Sequence, residues 1–162
     1  MKLLSHFILL LFSVSSFSQN TRDILLKSGT FLPANTIVLS DFSEENNQIF
    51  NGKYYRFMQF SVLPSTIQKV KMESLGIRFL EYIPNNTFVV SISEDISEKK
   101  LVSFNVIAFL PLIPAQKIDP KLRHGNCPNW AKDGNNVLLK VLLYKDVNLT
   151  LVFERLKREN IE

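Results

Sequence analysis

Between residues 50 and 112 the hydrophobic spacing switches from strand to helix and back, twice. This alternation constrains the fold more than any other feature of the chain. Asn51-Gly52 is a turn signal, and residues 53–62 (KYYRFMQFSV) after it read as an aromatic-rich strand. Tyr55, Phe57 and Gln59 share one face, yet Tyr54, Met58 and Phe60 on the other also carry large apolar groups. Burial on both sides over part of its length accounts for that pattern. Pro64-Ser65 stops the strand, with Ser65 as N-cap of a helix whose buried side is expected to hold Ile67, Val70 and Leu75. Gly76 stands where a left-handed C-cap belongs.

Residues 77–83 (IRFLEYI) and 87–92 (TFVVSI) form a hairpin around the turn Pro84-Asn85-Asn86. Ser93 is expected to open a second helix with Glu94, Asp95 and Glu98 in its first turns, favourable at the positive end of a helix dipole. Ile96, Leu101, Val102 and Phe104 would supply its buried side. Residues 106–110 make a last strand, ended by Pro111 and Pro114. The order β-α-β-β-α-β is the split βαβ arrangement, an α+β, ferredoxin-like module with two helices over one face of a four-stranded antiparallel sheet.

Around this module, spanning 50–114, the chain divides further. Residues 1–18 have the form of a signal peptide: Lys2, an apolar run too short to span a bilayer, and a small-x-small site at Ser16-Phe17-Ser18. A secreted or periplasmic location follows, with Gln19 as the new N-terminus. Residues 19–49 are a lead-in with short strands expected at 23–27 and 36–39, turns at Ser28-Gly29 and Pro33-Ala34-Asn35, and a loop at 43–48. Residues 115–136 form a linker rich in turn residues, which Trp130 is expected to pin to a neighbouring surface. Residues 137–144 (VLLKVLLY) read as a strong strand. A helix follows, capped by Asn148, with Leu149, Val152, Phe153 and Leu156 on one face. Asn160 closes that helix, and Ile161 begins a further strand. A lone βα unit has little to bury against, so residues 137–162 are expected to be the start of a second α+β module, truncated here.

The composition is globular, with 46% hydrophobic and 21% charged residues, and the net charge of +4 is spread without a basic block. A nucleic-acid partner is not expected, nor a membrane once the leader is removed. After the leader the only histidine is His124, three residues from the only cysteine, Cys127. A metal needs three or four ligands at suitable spacing, and a catalytic pair needs a rigid scaffold. No metal or catalytic role is therefore assigned to this pair. Glu44-Glu45 and Glu94-Asp95 fit a solvated loop and a helix start. Tyr54, Tyr55, Phe57 and Phe60 could stack bases or sugars, but in a chain with 11% aromatic residues core packing explains them. Asn85-Asn86-Thr87 and Asn148-Leu149-Thr150 match the N-glycosylation pattern. No glycine-rich phosphate loop occurs, and no catalytic, metal-binding or cofactor-binding residue is assigned.

The segment 51–92 (NGKYYRFMQFSVLPSTIQKVKMESLGIRFLEYIPNNTFVVSI) resembles the N-terminal region of exported subtilisin-like (S8 family) serine peptidases of a Bacteroidetes type. The likeness lies in the GKYY…QF strand, the proline and glutamine flanking the helix start, the LGI at its end, and the YIPNNT hairpin, and it covers roughly residues 24–112. It is similar to the inhibitor-type propeptide of subtilisins, which has the same βαββαβ order. The resemblance implies a non-catalytic propeptide, acting as intramolecular chaperone and inhibitor, or an accessory docking domain. The implied partner is a cognate subtilisin-like catalytic domain, in cis or in trans. Such a propeptide packs its sheet on the protease and lays its tail in the active-site cleft as an added strand. The Asp, His and Ser motifs of the peptidase itself are absent, and His124-Gly125 continues into Asn126-Cys127-Pro128 instead. The alternative is a free-standing secreted interaction or adhesion module.

Overall fold

The computed structural model describes residues 22–33, 36–39 and 49–161. The expected signal peptide, Ala34 and Asn35 of the expected turn, and the loop at 43–48 lie outside the described residues. Along the chain run β1 (Ile24–Leu26), β2 (Gly29–Phe31), β3 (Ile49–Phe50), β4 (Lys53–Phe60), α1 (Thr66–Glu73), β5 (Ile77–Ile83), β6 (Thr87–Ile92), α2 (Glu98–Ser103) and β7 (Val106–Pro111). Then come α3 (Pro114–Lys117), α4 (Pro120–Arg123), a 3-10 turn (Asn129–Ala131), β8 (Lys132–Asp133), β9 (Asn136–Val137) and α5 (Leu149–Arg158).

β4 is the centre of a five-strand antiparallel sheet in a mixed α+β fold. Residues Tyr54 to Gln59 pair with β6, and Arg56 to Phe60 pair with β7 on the other edge. β3 joins that same edge at Lys53 and Tyr54, and β5 lies outside β6. One face carries Tyr54, Met58, Phe60, Phe88, Val90, Ile92 and Phe109, packed under Met72 of α1, Leu101 of α2 and Phe104 at the end of α2.

Local chemistry sets the helix ends. Ser65 and Gln68 form a reciprocal capping box at the start of α1: the Gln68 amide donates to Ser65 Oγ at 3.3 Å, and the Ser65 amide donates to Gln68 Oε1 at 2.9 Å. Gly76 follows with φ +78°, and a Cβ there would lie 2.9 Å from Ser93 Oγ, so both backbone angle and space demand glycine.

The inward faces of both helices differ from the expectation. Met72 is buried and Leu75 packs against the core, whereas Ile67 and Val70 are 70% and 59% exposed. Phe79 and Phe88 pack edge-to-face in the core on this side of the sheet. Over their rings lies the Lys69 ammonium, 5.4 and 4.6 Å from the centroids. α2 starts at Glu98, not at Ser93. Glu94 and Asp95 therefore sit in the preceding loop, from which Ile96 reaches the core, and Val102 faces outward.

The other sheet face is also covered. Ile24, Leu26 and Phe31 of the β1–β2 hairpin pack on Phe57, Ile83 and Val89. Gln59, buried near the end of β4, donates to the carbonyls of Arg22 (2.9 Å) and Asn85 (3.1 Å). The lead-in is thus part of the core. Of the strand expected at 36–39, Ile37 alone bridges, parallel to Phe109.

Past β7 the chain is held to the hairpin: Ser28 Oγ donates to the Gln116 carbonyl (2.9 Å) and Arg123 to the Ser28 carbonyl (2.8 Å). Trp130 is 83% exposed and pins nothing; its neighbour Ala131 is the buried residue. The strong strand expected at 137–144 is paired only at Val137, opposite Lys132. Residues 138–143 lie in no strand: the Leu138 amide donates to the Ala131 carbonyl at 2.8 Å, no ladder continues beyond it among the described residues, and the apolar side chains of the run are exposed. α5 forms with Asn148 as cap (2.9 Å to the Thr150 amide), but Leu149 and Phe153 stay exposed.

These burial assignments separate two leucine-sized truncations. Leu101→Ala should cost about 2–5 kcal/mol, and Ile67→Ala within roughly 0.5 kcal/mol, measured by urea unfolding. Equal losses would contradict the orientation of α1.

Candidate functional site

The most developed polar cluster among the described residues lies where the chain returns to the hairpin-covered face of the sheet. Alternation along β4 turns Tyr55 to that face, and Ser91 lies directly opposite it on β6. Residues 144–147 cross over them. Tyr144 stacks on Tyr55 with ring centroids 5.4 Å apart and planes 16° apart. The Asp146 side chain is fully buried. Its Oδ2 accepts from Ser91 Oγ at 2.6 Å and meets Lys53 Nζ at 3.3 Å, and Oδ1 receives the Tyr55 hydroxyl at 3.4 Å. Lys53 Nζ also reaches the Asp146 carbonyl at 3.4 Å.

The distances rank these contacts. Only the Ser91 bond has the length of a strong charge-assisted hydrogen bond; the others are long. Burial, then the Asp146 charge and hydrogen bond, push Tyr55 up to about 12. It therefore stays a neutral donor at neutral pH. Burial, then Glu81, raises Tyr144 as well. With both carboxylate oxygens engaged, Asp146 has the geometry of an anchor tying residues 144–147 to β4 and β6. Beside it, Lys53, Arg78, Ser91 and Ser93 line an open polar groove of about 350 Å³. Neither Asp146 nor Ser91 carries a sequence motif. Both were missed, because the juxtaposition spans 55 residues of chain.

The residues considered from sequence fall elsewhere. His124 ends α4, and Cys127 is a half-buried free thiol whose Sγ contacts the Pro128 carbonyl at 3.8 Å. Among the described residues no group of three or more His, Cys, Asp or Glu side chains could hold a metal ion. Glu44 and Glu45 lie outside the described residues, and Glu94 and Asp95 are exposed. Tyr54, Phe57 and Phe60 are core, with Tyr54 edge-on to Phe109 and beneath the Arg56 guanidinium at 4.8 Å. Both sequon asparagines have structural tasks. Asn85 Nδ2 donates to the Asp23 carbonyl, and Asn148 caps α5. Among the described residues no helix is long and apolar enough to cross a membrane.

Removing the short bond should matter most. Ser91→Ala is expected to cost about 1.5 kcal/mol or more, and Tyr55→Phe clearly less, in denaturant titrations; the reverse order would contradict the anchor. The tyrosines add a pH dependence. Tyr54, also pushed up to about 12 chiefly by burial, and Tyr55 stay protonated when folded, while an unfolded tyrosine ionises near 10. Their contribution is complete below about pH 10 and is lost as pH rises towards 12. Tyr55→Phe should therefore flatten the fall of melting temperature across that window, and an unchanged slope would count against a buried, neutral Tyr55.

No curated protein and no solved structure matches this chain. One family does: its pattern matches residues 25–112, from the β1–β2 hairpin through β7, and so takes in the covered sheet, both helices and the lead-in. On that match the chain belongs to the family described as a domain of unknown function, DUF8729.

Proposed function

We propose that the chain is a non-catalytic, exported docking domain from the N-terminal part of a subtilisin-like serine peptidase, built on a ferredoxin-like split βαβ unit. The observation that carries the reading is the strand order β7, β4, β6, β5, all antiparallel, with α1 and α2 on one face. That is the arrangement expected of an inhibitor-type propeptide, and it is made by the very segment whose GKYY, LGI and YIPNNT elements carry the resemblance. The partner is the cognate catalytic domain.

Of the two roles the resemblance allows, docking is favoured over inhibition. A subtilisin propeptide meets its protease through a bare sheet face. Here Ile24, Phe31 and Tyr144 already cover that face, and the chain after β7 turns into α3 and α4 instead of running on as an extended tail. A partner therefore has to be met by another surface.

The chain should bind a purified subtilisin-like peptidase from the same genome, followed by biolayer interferometry, without slowing its hydrolysis of a peptide substrate. Binding with inhibition would restore the propeptide role. Absence of binding, together with a reading frame lacking Asp, His-Gly-Thr and Gly-Thr-Ser motifs, would remove the peptidase link and leave a free-standing interaction module.

A further inference from the structure

The contacts of residues 144–147 have the form of a bound peptide. Three donors from two strands converge on one carboxylate: Ser91 Oγ, Lys53 Nζ and the Tyr55 hydroxyl all reach Asp146 side-chain oxygens. Lys53 Nζ also reaches the Asp146 carbonyl, and Tyr144 stacks on the Tyr55 ring. Side chains of the sheet make all of these contacts. Among the described residues no backbone–backbone hydrogen bond joins residues 139–147 to the sheet. On either side the chain is loosely packed, with Leu142 79% and Leu149 54% exposed. The receiving residues lie inside the family pattern, 25–112, and the segment they hold lies outside it. Residues 144–147 are thus a strap laid on the domain's sheet and not an element of the sheet.

The strap leaves part of its site unused. Arg78 stands directly across from Ser91 on β5 and is exposed. Its side chain has no hydrogen bond or ion pair among the described residues. Arg78 and Lys53 both line the open groove of about 350 Å³ beside Asp146, and Glu73, which lines it too, pairs with neither cation. A segment with one more acidic residue next to the aromatic-x-acid pattern of Tyr144-Lys145-Asp146 would meet both cations, where the strap meets one. An arginine offers a carboxylate a planar, two-pronged donor.

We infer that the corner of the sheet formed by Lys53, Tyr55, Ser91 and Arg78 docks a short acidic segment of a partner polypeptide, and that residues 144–147 are an internal ligand which this segment displaces. The segment has an aromatic residue, an acid two places on, and a further acid beside it. Charge complementarity favours this occupant over a second copy, which brings the same strap and gains nothing by exchanging it. The tether acts in the same direction. A linked competitor has an effective concentration on the order of millimolar, so an equal ligand in solution is held off and only a better one enters. The rest of the face stays under the β1–β2 hairpin, which limits the site to a few residues. This corner is distinct from the surface that would meet a peptidase, and it stands whether or not the peptidase reading holds.

The chain carrying Tyr144→Ala and Asp146→Ala opens the site, and a fluorescein-labelled peptide of residues 142–148 (LLYKDVN) probes it by fluorescence anisotropy. The peptide should bind the opened chain at least about tenfold tighter than the unsubstituted chain, whose strap competes. The same peptide with Asp146→Asn should bind about tenfold more weakly, having lost its charged acceptor. With Val147→Glu or Asn148→Glu, at least one peptide should gain about threefold, and Arg78→Ala in the opened chain should remove that gain. A cooperative urea transition checks that the opened chain is folded, and Asp146→Asn alone in the chain is a milder opening with the same expected ranking. No binding by either opened chain, equal binding by opened and unsubstituted chains, or indifference to the peptide's Asp146→Asn change would overturn the inference. So would the absence of a gain from both acidic peptides. A dimer of the unsubstituted chain in sedimentation velocity that Asp146→Asn abolishes would make a second copy the occupant and overturn it as well.

Discussion

Burial of β4 on both faces is the constraint from which the rest of the structure follows. Tyr54, Met58 and Phe60 look one way and Phe57 the other, so this eight-residue strand is stable only if the sheet is covered twice. α1 and α2 supply one cover. The β1–β2 hairpin and Tyr144 supply the other, from opposite ends of the described chain. Two polar side chains are buried with the strand, and each has a fixed answer. Arg56 lies over the Tyr54 ring and donates to the Tyr55 carbonyl at 3.0 Å, and Gln59 donates to the Arg22 and Asn85 carbonyls. A buried amide without such partners would cost several kcal/mol. Gln59 thus specifies where the chain before β1 must run, and apolar packing alone would leave that choice open.

The Asp146 anchor works in the same way at longer range. A buried carboxylate is tolerated only when its charge is met by donors, and Ser91, Tyr55 and Lys53 occupy a single place on β4 and β6 that offers all three. Tyr144 stacks on Tyr55 beside the carboxylate, and in such low-dielectric surroundings a satisfied hydrogen bond like that from Ser91 is stronger than in water. Residues 144–147 are therefore held in a defined position, although few residues on either side of them are packed.

How much of this was legible in the sequence depends on whether the controlling contact is local. The hairpin of β5 and β6, the N-cap Ser65, the left-handed Gly76 and the cap Asn148 rest on chemistry within a few residues, and each stands where the pattern placed it. The facing of α1 does not. Ile67 and Val70 fit a helical stripe, but the core under α1 takes Phe79 and Phe88 from β5 and β6, and the Lys69 ammonium lies over their rings. Likewise, the apolar spacing of 137–144 is that of a strand, yet a strand exists only with a neighbour, and periodicity is silent about neighbours. Asp146 and Ser91 look like an ordinary turn aspartate and an ordinary strand serine until the fold brings them together.

The anchor also distinguishes the segment after it from a frayed tail. An isolated ten-residue helix is marginal in water, yet α5 keeps its Asn148 cap, its left-handed closure at Asn160 and an Arg155–Glu159 pair at 2.8 Å. Leu151, Val152 and Leu156 are only partly covered, and Leu149 and Phe153 are not covered at all. Local terms of this size, each a few tenths to about 1 kcal/mol, do not hold a short helix by themselves, so its lasting stability has to come from a packed face. The exposed run 138–143 adds the same requirement in strand form, because open apolar edges invite unspecific pairing unless something selects the partner. The fixed root at Asp146 sets where that exposed apolar surface lies relative to β4 and β6.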